Sequence, residues 1–262
     1  MKAINGRYVV PGLERGLRML QLFDRKRRQL SGADMSRELN IPRSTAFRLA
    51  HTLELCGFLE REGDHFRIGP AVLRLGFESI ASLDLGELGR PVVERLCEQA
   101  SLPSQLVIRD GRDVVVVLKS SPPAAFVSNV IVGTRLPAHA TILGRVLLSD
   151  LDDAALSALY PKPALPSVSP RSPRTLAELK RLLRQDRTRG YAVSESFFEQ
   201  GISAVAAPIK SADDRIVAAI SVTAQRPTLD PESFREKLVT LVLRAAGELS
   251  HRLNYREPKE VA

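Results

Sequence analysis

Residues 31–68 read SGADMSRELNIPRSTAFRLAHTLELCGFLEREGDHFRI, and this stretch decides the fold. Ser31 stands where an N-cap side chain accepts a backbone N–H, which opens a short helix over Ala33–Leu39. Asn40-Ile41-Pro42 is a turn, and Pro42 suits the first turn of another helix, where a missing N–H costs little. That helix runs to about Cys56. Ala46, Leu49, Ala50 and Leu53 recur at i, i+3, i+4 and i+7 and form its inward stripe. Arg43, Ser44, Thr45, Arg48 and Thr52 are left on the open side. Gly57 suits its C-terminal cap. Two short extended runs, Phe58–Arg61 and His65–Ile68, flank Gly63-Asp64 and spell a hairpin. Two helices on a tight turn followed by a hairpin form a winged helix-turn-helix, whose second helix enters the DNA major groove.

The open side carries matching chemistry. Arginine binds guanine bidentately, and serine and threonine serve bases or phosphates. Arg61, His65 and Arg67 would set the wing on phosphates. Upstream, Leu13, Leu17, Leu20 and Leu22/Phe23 predict a helix over residues 10–29, ended by the cations of DRKRR. Downstream, Pro70 opens a linker helix over about 71–82. The charge agrees. Residues 1–70 hold 13 Lys and Arg against 8 Asp and Glu, whereas the rest of the chain holds 25 against 22. A small basic region on a near-neutral larger one suggests an anionic partner for the first.

From residue 86 the texture changes. A helix over Gly86–Gln99 leads to a hairpin, Gln105–Arg109 and Val114–Lys119 around DGRD, and Ala125–Val132 is a further extended run. A helix is expected over Ala140–Ser149. Residues 161–173 hold five prolines and form a loop, and Leu176–Arg189 is an amphipathic helix. Val205–Lys210 and Ile216–Thr223 are strands, and a long helix starts with Asp230 as N-cap and Pro231 in its first turn. The chain is thereby α+β: a DNA-binding domain at 8–70, a linker helix at 71–85, and a domain at 86–255 with helices flanking an antiparallel sheet.

Composition narrows the function. The chain has 262 residues, 44% hydrophobic and 26% charged, enough for a sizeable core. No apolar run approaches a membrane span, and the first residues carry no export signal, so a cytoplasmic protein without membrane contact is expected. Cys56 and Cys97 are too few for a disulfide framework or a closed zinc site. The four histidines are His51, His65, His139 and His251, and no nucleophile elbow, P-loop or HxxxH occurs. Neither catalysis, a metal nor a cofactor is expected. Three functions stand: a ligand-responsive DNA-binding regulator, a constitutive DNA-binding protein whose C-terminal domain only oligomerises, and an enzyme with a fused winged helix.

LERGLRMLQLF (13–23), MSRELNIPRSTAFRLAHTLELCGFLER (35–61), VGTRLPAHATILGRVLL (132–148), RGYAVSESFFEQGISAVAAPI (189–209) and AAISVTAQ (218–225) together resemble the IclR family of bacterial transcription regulators. The resemblance implies a winged-helix DNA domain, a linker helix and a GAF-like effector-binding domain, acting as a homodimer or dimer of dimers on a palindromic operator in double-stranded DNA. VGTRLPAHAT is similar to the branch that controls catabolism of aromatic acids such as protocatechuate and 4-hydroxybenzoate. By the same resemblance, an effector would meet Leu136, Ile142, Leu143, Ser194, Ile202, Ala204, Ser221 and Thr223. Ser194 and Ala204 stand where the glyoxylate- and pyruvate-sensing type has Asp and Cys, and Ile142-Leu143 replace its Gly-Ala. Ser221 and Thr223, two apart on a strand, share a face and would hold a carboxylate of a small organic acid.

Overall fold

A computed structural model describes residues 8–24, 27–73, 75, 85–123 and 130–254, and the chain divides into two units, residues 1–82 and 83–262. In the first unit, α1 spans Pro11–Leu20, β1 Leu30–Ser31, α2 Gly32–Leu39, α3 Arg43–Leu55, β2 Leu59–Glu62 and β3 His65–Ile68. Ser31 and Asp34 cap α2 reciprocally, the Ser31 hydroxyl accepting the Asp34 N–H while the Asp34 carboxylate accepts the Ser31 N–H. These bonds from Ser31, side chain first, hold the Asp34 carboxyl below its ordinary range. Ala46 and Ala50 are fully buried against Met19, Leu30, Met35, Leu59 and Phe66, with Leu49 and Leu53 packed beside them.

Two features of this unit differ from expectation. Helix α1 stops at Leu20, not near residue 29: the Gln21 and Leu22 N–H groups turn to carbonyls three residues back, Arg18 O and Met19 O, and beyond them the Asp24 carboxylate accepts the Arg27 N–H at 2.8 Å. Leu22 and Phe23 still pack on the core. The wing is a three-stranded sheet in the order β1-β3-β2. Its root is pinched by two glycines. Gly57 has φ +75°, and a Cβ on Gly69 would fall 2.4 Å from the Gly57 carbonyl oxygen. Of the linker helix, residues 71–73 and 75 are helical and the remainder lies outside the described residues.

In the second unit, α4 spans Leu85–Ala100, β4 Ser104–Asp110, β5 Asp113–Ser120 and β6 Arg135–Pro137. A 3-10 turn, Ala138–Ala140, leads to α5, Ile142–Leu148, with Thr141 as its N-cap. Then follow α6 Asp153–Leu159, α7 Leu176–Arg189, β7 Ala192–Glu195, β8 Ser203–Lys210, β9 Ile216–Ala224 and α8 Glu232–Asn254. The strands form an antiparallel sheet in the order β6-β5-β4-β9-β8-β7. Strand alternation divides the core in two. Val205, Ala207, Ile209, Ala218, Ile220 and Val222 face α4 and α8, whereas Ala204, Ala206 and Ala219 face α5 and α7.

Here too the outcome departs locally from the pattern. Residues 125–129 of the expected run Ala125–Val132 lie outside the described residues, and Val130–Val132 enter a turn instead, the Thr134 N–H donating to Ile131 O. Helix α8 starts at Glu232; the Pro231 carbonyl accepts the Phe234 N–H, and Asp230 is not its cap. Helix α6 and strand β7 had no distinct signal. In β5, Leu106 pairs with Leu118 but Val107 with Val116, so Val117 is an extra residue. That bulge carries Val117 and Leu118 into the α4 layer. Among the described residues no helix is long and apolar enough to cross a membrane.

Candidate functional site

Two rows of side chains cross the α5 face of the second unit's sheet. Ser194, Ala204 and Thr223 pair in one row. Ala192, Ala206, Ser221, Gln105 and Lys119 pair in the next. Over them lies a cavity of about 90 Å³, lined by Leu136, Thr141, Ile142 and Leu143 and by Phe198, Glu199 and Ile202 of the segment after β7. One water needs about 10–15 Å³ on this measure, so the space takes several waters or one ring-sized solute.

Seven of the eight side chains expected at an effector line this cavity: Leu136, Ile142, Leu143, Ser194, Ile202, Ala204 and Thr223. Ser221 does not. It shares Thr223's face, but one row deeper, fully buried beneath α5, and its hydroxyl has no hydrogen-bond partner among the described residues. A buried hydroxyl left unpaired costs about 1–3 kcal/mol. Ser221→Ala is therefore expected to raise the melting temperature slightly and leave effector affinity unchanged; a fall in affinity measured by calorimetry would return Ser221 to the site.

Among the described residues the charged groups at the cavity are Lys119 and Glu199. Lys119 Nζ donates to Val130 O at 2.6 Å. Regular alternation from Val114 and Val116 would turn Lys119 away from this face; the Val117 bulge brings it back. Thr141 Oγ1 accepts the Gly144 N–H at 3.1 Å, which leaves the hydroxyl as a donor at the cavity wall. Lys119 has no distinguishing sequence signal, and Thr141 ends the VGTRLPAHAT motif without being singled out by it.

The wall is braced from behind. Arg145 of α5 donates to Asp186 of α7 through Nε at 2.7 Å and Nη2 at 2.6 Å, both side chains buried. The same guanidinium lies 5.0 Å from the ring centre of Phe197, the neighbour of cavity-lining Phe198. Burial lifts the Asp186 carboxyl above the ordinary carboxylate range, and Arg145 opposes that rise. His139 is held structurally, Nε2 lying 2.9 Å from Pro166 O and the ring edge-on to Tyr160. Among the described residues no His, Cys, Asp and Glu group is gathered as a metal would need.

In the first unit, Arg43, Ser44, Arg48 and Thr52 are exposed on α3, and Thr45 is half-buried. The Thr52 hydroxyl donates to Arg48 O at 2.8 Å, so its proton is used within the helix. The wing differs from the expected phosphate contact. Arg67 is paired with Glu60 at 2.7 Å and Glu62 at 2.9 Å across the hairpin. Arg61 Nε donates to Gly63 O, and its guanidinium lies near the rings of Phe47 and Phe66. His65 is exposed. Glu60, Glu62 and Asp64 outnumber Arg61 and Arg67, so the wing carries no cationic excess, and of these two elements α3, with Arg43 and Arg48, is the basic one.

A family model described as the IclR helix-turn-helix domain matches residues 12–63, and one described as bacterial transcriptional regulator IclR C-terminal matches residues 77–251. The Pca regulon regulatory protein of Pseudomonas putida is 28% identical over 92% of this chain and 83% of its own length. The p-hydroxybenzoate hydroxylase transcriptional activator of Acinetobacter baylyi is 29% identical over 92% of this chain and 90% of its own. Among solved structures, an IclR homologue from Microbacterium hydrocarbonoxydans complexed with 4-hydroxybenzoate is 27% identical, with a TM-score of 0.81 over 92% of this chain and 98% of that one.

Proposed function

We propose that this chain, which belongs to the IclR family of bacterial transcriptional regulators, binds its operator under the control of a small organic acid, an aromatic carboxylate held in the α5 cavity. The observation that carries this reading is the make-up of that cavity. Leu136, Ile142, Leu143, Phe198 and Ile202 are apolar walls, and Lys119, Thr141, Thr223, Ser194 and Gln105 bring donors among them. An apolar cleft with a few convergent polar groups suits a ring bearing one charge. Lys119 meets the carboxylate as a point charge, and the two threonines add hydrogen bonds. Glu199 offers an acceptor to a ring hydroxyl. The Pca regulon and p-hydroxybenzoate relatives, and the homologue that holds 4-hydroxybenzoate, support the same ligand class.

In this reading the chain is a regulator rather than an enzyme. Residues 8–70 bind DNA through α3, residues 86–255 bind effector and self-associate, and 71–85 join them. A homodimer or dimer of dimers sets two α3 helices about one DNA turn apart on a palindrome. Effector acts by binding unequally to two dimer geometries.

Calorimetry on the full chain with 4-hydroxybenzoate, protocatechuate and benzoate tests the proposal. Saturable binding is expected, with a rise in melting temperature by mass action. Lys119→Met is expected to weaken it about ten- to a hundred-fold, the loss of one charge-assisted partner, without touching DNA affinity. Binding by none of the acids at millimolar concentration, or equal binding by the variant, defeats it. On the DNA side, Arg48→Ala is expected to cost about 1–3 kcal/mol at the operator and relax sequence preference. Unchanged affinity and preference in a gel-shift titration would remove α3 from the base edges.

A further inference from the structure

We infer that Phe47 reads the methyl group of a thymine in the major groove, an inference that rests on the DNA-binding reading of α3. The ring is 49% exposed on a face that also carries Arg43, Ser44 and Arg48. It lies in the N-terminal half of the 13-residue helix α3, where a recognition helix meets base edges. His51, one turn on, stacks parallel to it, with ring centres 6.3 Å apart and planes 8° from coplanar. Arg61 of the wing approaches to 5.9 Å from the ring centre. The ring is thus held by neighbours on two elements yet left open to solvent, which lowers the entropic cost of using it in a contact.

A phenyl ring has no hydrogen bond to offer a base. In the major groove the thymine C5-methyl is the one apolar group the base pairs present, so an outward phenyl ring discriminates thymine and little else. Arg43 and Arg48, which flank the ring in sequence, supply the attraction that brings a polyanion onto this face. The Thr52 hydroxyl, bonded to Arg48 O, competes less for bases, which leaves apolar contact a larger share of the specificity of α3.

The test uses the full chain and a duplex operator selected by it from a randomised pool. Each thymine is replaced in turn by uracil, which deletes the methyl group and no hydrogen-bonding atom. Fluorescence anisotropy is expected to show a loss of about four-fold at one thymine per half-site, and about fifteen-fold when both halves are replaced. Phe47→Ala is expected to bind thymine and uracil operators equally, and Phe47→Leu to keep part of the difference. Indifference of the parent protein to every replacement overturns the inference, with no variant needed. So does a Phe47→Ala protein that discriminates as the parent does. If the pool yields no enriched duplex at all, the DNA-binding reading falls and this inference with it, an outcome distinct from the other two.

Discussion

Asp186→Ala is expected to destabilise the second unit by about 3–5 kcal/mol, because it strands the Arg145 guanidinium in the interior. The side chains of Arg145 and Asp186 are 5% and 2% exposed, and two short charge-assisted bonds join them. Removal of the carboxylate leaves the cation with the Phe197 ring beside it, whose attraction is smaller than the desolvation left unpaid. For a unit of this size the melting temperature is expected to fall by about 6–20 °C. The double change Arg145→Met, Asp186→Leu removes both charges and is expected to recover most of the loss, since a buried pair and an apolar pair of similar volume are often near equal. Differential scanning calorimetry reads both variants. A single variant that melts within about a degree or two of the parent would mean that α5 and α7 are not fastened here.

The second large effect is expected at Gly144. A Cβ there would lie 2.1 Å from Ala138 O and 2.3 Å from Ala138 Cα, and both atoms are backbone that cannot swing aside. Helix α5 therefore crosses the 3-10 turn at a distance only glycine permits. Gly144→Ala must push Ala138–Ala140 away from Ile142–Leu148, at about 3 kcal/mol or more, the upper range for overpacking. The same displacement moves Thr141, Ile142 and Leu143, so effector affinity is expected to fall together with stability. Gly247 in α8 is the control. Open space surrounds its Cβ position, and Gly247→Ala is expected to stabilise by about 0.5–1 kcal/mol. Equal melting temperatures for Gly144→Ala and Gly247→Ala would contradict the packing described.

Much of the architecture was legible because local rules and tertiary structure agree. The N-cap Ser31, the Ala46/Leu49/Ala50/Leu53 stripe and the turn at Gly63-Asp64 each speak through a few adjacent residues. Leu176–Arg189 kept its expected ends because Thr175 caps one and Gly190, at φ 77°, the other. Strand β7 was not legible. AVSE carries too little alternation to stand out, and it is a strand only because β8 pairs with it.

The sites divide in the same way. By itself the sequence determined which side of α3 turns outward, since a helix's period assigns every side chain to a face. Motif correspondence likewise brought seven residues to one cavity from β6, α5, β7, β8, β9 and the loop between β7 and β8. Only the tertiary structure decided the rest, because each remaining point turns on a partner distant along the chain. Ser221 shares Thr223's face, yet α5 covers it and leaves Thr223 at the cavity. Arg67 carries a formal charge, but pairing of β2 with β3 sets Glu60 and Glu62 against it. Lys119 is assigned to the wrong face by alternation, and a single extra residue at Val117, defined by register with β4, turns it toward the cavity. A strand's period is two, so one inserted residue reverses every side chain beyond it, and no local pattern announces the insertion.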